Sequence, residues 1–153
     1  MKEKVKNILE ELGFQIEPVD EYLGFEFEGL GHLYLYNPND EDFLNISVPC
    51  VMAPDEEDET MLLRIADKIN AKVKYVKAYI WDDRLWLFYE RELFGDENLE
   101  GLITAMILRL AAAAVFVHQL SDGPDEDDSS SDFTEDGSDG MAQLADNNTT
   151  IEE

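Results

Sequence analysis

Residues 69–90 read INAKVKYVKAYIWDDRLWLFYE, and the way this stretch divides decides the fold. Ile69 closes an apolar stripe begun by Met61, Leu62 and Ile65, which recurs at helical spacing. Beyond Lys72 the period changes to two, so the spacing predicts strands over 73–81 and 84–90 joined at Asp82-Asp83. Tyr75, Lys77, Tyr79 and Trp81 fall on one alternating set, and Trp86 and Phe88 on the corresponding set of the second strand. This hairpin therefore presents an aromatic face, which reads either as core or as a platform for an extended peptide that also pairs with an edge strand.

Upstream, Val5, Ile8, Leu9 and Leu12 are spaced as an amphipathic helix and Gly13 stops it. An irregular stretch containing Pro18 follows. Leu23, Phe25 and Phe27 then alternate with Glu26 and Glu28, Glu28-Gly29-Leu30-Gly31 turns the chain, and Leu33 and Leu35 continue the hairpin. Asn37-Pro38-Asn39-Asp40 makes the next turn, and Leu44, Ile46 and Val48 form a third strand. The acidic run from Pro54 to Glu59 suits the entrance of the helix that ends near Ile69, because carboxylates are favoured beside unpaired N–H groups. A long apolar helix occupies about 97–120. The expected order is α-β-β-β-α-β-β-α, an α+β fold with one antiparallel sheet and packed helices.

The hairpin phrase 69–90, the opening Leu9-Glu10-Glu11-Leu12-Gly13-Phe14 and the phrase Phe43-Leu44-Asn45-Ile46 resemble the YbjN-like family of small bacterial proteins, whose fold is like that of the type III secretion chaperones. The resemblance covers residues 1 to about 120. It implies a single antiparallel sheet with helices on it, a tendency to dimerise, a chaperone-like or regulatory role, and no enzyme.

The formal net charge is −25 over 153 residues. Such a field repels phosphate backbones and anionic lipid surfaces, so nucleic acid is not an expected partner. Residues 122–153 hold twelve acidic groups and no basic one, leaving 24 acidic against 11 basic on residues 1–121. The composition predicts a folded domain over 1–121 and a disordered acidic tail over 122–153. One cysteine, Cys50, can close no internal bridge, and Met1-Lys2-Glu3-Lys4 runs into a charged helix, so the expected location is cytoplasmic.

The last helix carries the strongest hint of a partner. Leu99, Leu102, Ile103, Met106, Leu110, Ala113 and Val117 make one apolar face, while Leu108, Ala111, Ala112 and Val115 lie roughly opposite. The first face suits the sheet. The second needs a second subunit, a client, a neighbouring helix of the same domain or lipid. A homodimer is the expectation, with Leu108, Ala111, Ala112 and Val115 at its interface. Arg109, mid-helix, argues against a membrane.

Catalytic and metal chemistry is not expected. Cys50, His32 and His118 have no orienting acid or oxyanion turn at motif spacing, and no phosphate loop, cofactor motif or Cys/His metal set is present. Residues 132–143 copy half a calcium loop, but Gln143 replaces its closing glutamate. Arg64, Lys68, Lys72, Lys74 and Lys77 form the one locally basic region; it reads as a solvated helix end and strand edge, or as a dock for the tail. The expected function is a non-enzymatic, chaperone-like module that binds an extended segment of a client protein, with a regulatory domain that binds a signalling partner as the alternative and a small-molecule enzyme with a pocket between sheet and helix as the third and last reading.

Overall fold

A computed structural model of the chain describes residues 1–52 and 58–122. Three helices form where the apolar spacing is helical. In α1 (Lys2–Glu11) Val5 and Leu9 are fully buried, and Gly13 leaves the helix at φ +97°. In α2 (Glu59–Lys72) the Asp58 carboxylate accepts a hydrogen bond from the Met61 N–H at 3.2 Å and caps the first turn. The rest of the predicted entrance, 54–57, lies outside the described residues. The third helix, α3 (Leu99–Asp122), starts two residues later than its pattern suggested, where Asn98 accepts from the Gly101 N–H at 3.2 Å. Just ahead of it the Glu97 carboxylate accepts from the Phe94 and Gly95 N–H groups and meets Arg91. These donors, the Phe94 N–H foremost, hold its carboxyl below the usual glutamate range.

Among the described residues six strands make one antiparallel sheet. In chain order they are β1 (Glu17–Val19), β2 (Tyr22–Phe27), β3 (Leu30–Tyr34), β4 (Phe43–Met52), β5 (Val76–Trp81) and β6 (Arg84–Glu92), and they lie side by side as β1-β2-β3-β4-β6-β5. The three two-residue hairpins turn through residues at positive φ: Asp20, then Glu28 with Gly29, then Asp82 with Asp83. In the second and third of these, positive φ at both central residues matches the right-handed twist of the flanking strands, and Asp and Gly bear it at least cost.

The sheet has one strand more than the five that the sequence pattern predicts. β1 falls in the stretch around Pro18 that shows no alternation, and all three of its residues are exposed. β4 runs to Met52 through an irregularity after Val48, with Cys50 at φ +53°. β5 begins at Val76, three residues later than the pattern indicated, because Tyr75 sits at φ +69° and interrupts the strand.

Among the described residues the helices pack on one face only. Phe25, Leu44, Ile46, Val48, Leu85, Leu87 and Val76 point toward them. α3 crosses β4, β6 and β5 and touches α1 and α2, burying Ile103, Met106, Leu110 and Val117 completely. Each such side chain contributes roughly 1.5–3 kcal/mol of burial free energy, which makes α3 the keystone of the core. α2 lies along β5. Its Asn70 side chain accepts from the Ala78 N–H at 2.7 Å and donates to the Ala78 carbonyl at 2.8 Å, pairing both outward backbone groups at the middle of the β5 edge.

Candidate protein-binding face

Among the described residues no helix covers the sheet's second face, and its most apolar region lies on β5 and β6. The antiparallel register places Tyr79 opposite Trp86 and Lys77 opposite Phe88, so these side chains stand side by side on the uncovered surface. Tyr79 stacks on Phe88 with centroids 4.4 Å apart and planes 4° apart. Trp86 lies beside the same ring at 5.8 Å, and Trp81 leans on Trp86 at 4.8 Å. Phe88 is thereby sealed to 1% exposure on a face that no helix covers, while Trp81 and Tyr79 remain 46% and 38% exposed. The result is a continuous aromatic shelf.

Polar groups frame it. Lys77 pairs with Glu90 at 3.0 Å, and the Asn45 amide donates to the other Glu90 oxygen at 3.0 Å. Ser47, the cross-strand neighbour of Phe88, is fully buried, and its hydroxyl has no partner among the described residues. The Trp86 indole N–H is likewise buried and unpaired. Burial without a hydrogen bond is unfavourable, so the aromatic packing must offset it.

Toward the other edge a cleft of about 530 Å³ runs along β1, β2 and β3 to Pro49 of β4, lined also by Gly13, Phe14 and Gln15 and by the helix-side residues Phe25 and His32. Gly24 and Gly31 leave its floor without side chains.

Tyr75 does not join the shelf. Its positive φ swings the ring to the helix side, where it stacks on Tyr89 at 5.7 Å and takes the Arg109 guanidinium over its face at 4.4 Å. Of the six residues singled out for a partner surface, Lys77, Tyr79, Trp81 and Trp86 line the open face, Phe88 is buried beneath them, and Tyr75 lies elsewhere. The basic region divides in the same way: Lys77 belongs to the sheet face, while Arg64, Lys68 and Lys72 belong to α2. The strand-edge pairing foreseen at β5 meets the Asn70 amide already in place.

On α3, Leu108 and Val115 are 53% and 58% exposed, Ala112 is exposed and Ala111 half-buried. No element of the domain covers this flank among the described residues. By length and composition α3 could cross a membrane, but Arg109 interrupts it and its other flank is locked into the core.

Neither a family model nor a curated protein matches the chain. Solved structures do. YbjN of E. coli, described as a candidate transcription regulator, superimposes with a TM-score of 0.61 at 12% identity, over 78% of this chain and 92% of that one. An uncharacterised protein from Methanothermobacter thermautotrophicus gives 0.57 at 14% identity, over 78% and 94%. The chain has the YbjN-like fold. At these identities the likeness carries architecture alone.

Within the YbjN-like fold the residues considered for chemistry fall apart. His32 is buried on the helix side, stacked on Phe25 at 5.2 Å, and its Nδ1 donates to the Leu30 carbonyl at 2.9 Å while Nε2 has no partner. Cys50 is exposed, with Arg84 at 3.6 Å from its sulfur. His118 is exposed on α3, and the calcium-like run 132–143 lies outside the described residues. Among the described residues no three His, Cys, Asp or Glu side chains gather as a metal set.

Burial lowers the His32 pKa below its ordinary 6.5, only partly opposed by the bond to Leu30. Above that value the ring is neutral in both folded and unfolded chains. Below it the unfolded chain takes a proton that the folded one resists, so stability falls as the solution is acidified from pH 6.5 toward the depressed native value. Urea unfolding at stepped pH should show a steeper loss below 6.5 for the natural chain than for His32→Phe. Equal slopes would show that His32 contributes nothing to acid sensitivity.

Proposed function

We propose that this protein is a non-enzymatic, chaperone-like binding module that works as a homodimer and receives an extended segment of a client protein on its helix-free sheet face. The carrying observation is the shelf, in which the exposed Tyr79 and Trp81 stack with the half-buried Trp86 and the buried Phe88 on a face that no helix covers among the described residues. Aromatic side chains give a large contact area with little rotamer entropy to lose, which suits capture of varied segments. The client lies across the face, since Asn70 occupies the middle of the β5 edge. The uncovered α3 flank supports the self-association. A second reading, a regulatory domain that holds a signalling partner, draws on the description of YbjN; it uses the same shelf with one dedicated ligand.

The chain contains two tryptophans, and both lie on the shelf. Their emission therefore reports on this face and on no other. Peptides selected by the immobilised protein from a random dodecapeptide library should shift that emission, and Tyr79→Ala or Trp81→Ala should weaken them about tenfold, the scale of one well-buried contact. Leu63→Ala, at an exposed site on α2, should not. Selected peptides that leave the emission unmoved would refute the reading.

A further inference from the structure

The cleft beside the shelf has a chemistry of its own. Glu17 pairs across the strands with Gly24, and Glu26 with Gly31, so each carboxylate stands next to a position without a side chain. Both glutamates are exposed, and among the described residues neither has a cation within 4 Å. Among the described residues no lysine, arginine or second histidine joins His32 in lining the cleft, and the His32 Nδ1–H is engaged by the Leu30 carbonyl. The space at Gly31 is open: a Cβ there would meet nothing within 4 Å. At Gly24 the Val19 side chain closes in instead, its methyl 2.9 Å from where a Cβ would stand, so only a glycine fits beneath it. Two unpaired carboxylates beside the open position at Gly31, in a domain with 24 acidic against 11 basic groups over 1–121, complement a positive side chain.

Cleft and shelf adjoin. One cross-strand row runs Glu17, Gly24, Leu33, Ser47, Phe88 and Lys77, and Pro49 at the cleft's end lies on β4 beside β6. With strands about 4.8 Å apart, the step from β2 or β3 to β6 is roughly 10–14 Å, which an extended segment covers in about four residues. Side chains four apart in such a segment point the same way.

We propose that the client is a basic extended segment, with an arginine or lysine seated between Glu17 and Glu26 and an apolar side chain about four residues away resting on Trp86, Trp81 and Tyr79. The proposal rests on the client-binding reading and names the class of client.

A nine-residue synthetic peptide with two arginines and then two leucines at alternate positions, serine elsewhere, is titrated into the full chain while tryptophan emission is followed. Saturable binding is expected, about tenfold weaker when serine replaces both arginines and undetectable when glutamate does. Glu17→Gln with Glu26→Gln should reduce the arginine peptide to the serine level. Glu10→Gln with Glu11→Gln on α1 removes the same charge and should leave binding unchanged, which separates the cleft from the overall field. Gly31→Phe, filling the floor, should weaken the arginine peptide and spare the serine one. Equal affinity of the arginine and serine peptides, or full affinity in the Glu17/Glu26 double variant, overturns the basic-client proposal and leaves the client-binding reading standing. Failure of every peptide to move the emission removes both.

Discussion

Phe88→Ala should lower the unfolding free energy by about 3–5 kcal/mol, as much as a substitution in the middle of the helix-covered core. The residue lies on the face of the sheet that no helix covers, where a large-to-small change ordinarily costs little. Here Tyr79 and Trp86 close over it and leave 1% of it exposed. Removing the ring leaves a cavity that two stiff aromatics cannot fill, and it uncovers the buried Ser47 hydroxyl. Urea unfolding followed by circular dichroism measures the loss, and tryptophan emission of the folded variant should move to the red as water reaches Trp86. A cost below about 1 kcal/mol would show that the shelf is a loose surface cluster, since exposed substitutions fall within about 0.5 kcal/mol of zero.

Leu110→Ala should cost about 3 kcal/mol, whereas Leu108→Ala, one half-turn away on α3, should cost almost nothing in dilute solution. Leu110 is fully buried against the sheet, and Leu108 is 53% exposed. The comparison acquires a second dimension if the exposed flank joins two copies. Stability of the natural chain then rises with protein concentration by mass action, and Leu108→Asp with Val115→Asp should abolish that rise and give a monomer in sedimentation. A natural chain that stays monomeric at every concentration would remove the homodimer from the proposed function while leaving the Leu110 result untouched.

The three helices and five of the six strands are legible in the sequence because their burial follows periods of 3.6 or 2. β1 is not, since a three-residue exposed strand containing Pro18 has no buried face to write a pattern; its place is set by pairing with β2. Alternation also cannot tell which face of a strand the helices will cover when both are apolar. Leu85 and Leu87 face the helices while Trp86 and Phe88 face outward, and composition alone would permit the reverse. Tyr75 misleads the count for a different reason. Alternation assumes extended backbone at every residue, and the left-handed conformation at Tyr75 sends its ring to Tyr89 and Arg109. The acidic cleft escapes notice because Glu17 and Glu26 come together through strand pairing, and because its defining feature is the missing side chains of two glycines.

The clasp of Asn70 on Ala78 bears on how such a molecule avoids growing into fibres. A sheet with a greasy aromatic surface and a bare rim is a template on which further chains could add rung after rung. One carboxamide, reaching over from the neighbouring helix, imitates the next rung and ends the ladder at its centre. At that border the hydrogen bonds a further strand would need at Ala78 are already taken, so an added copy would have to displace the carboxamide before it could pair.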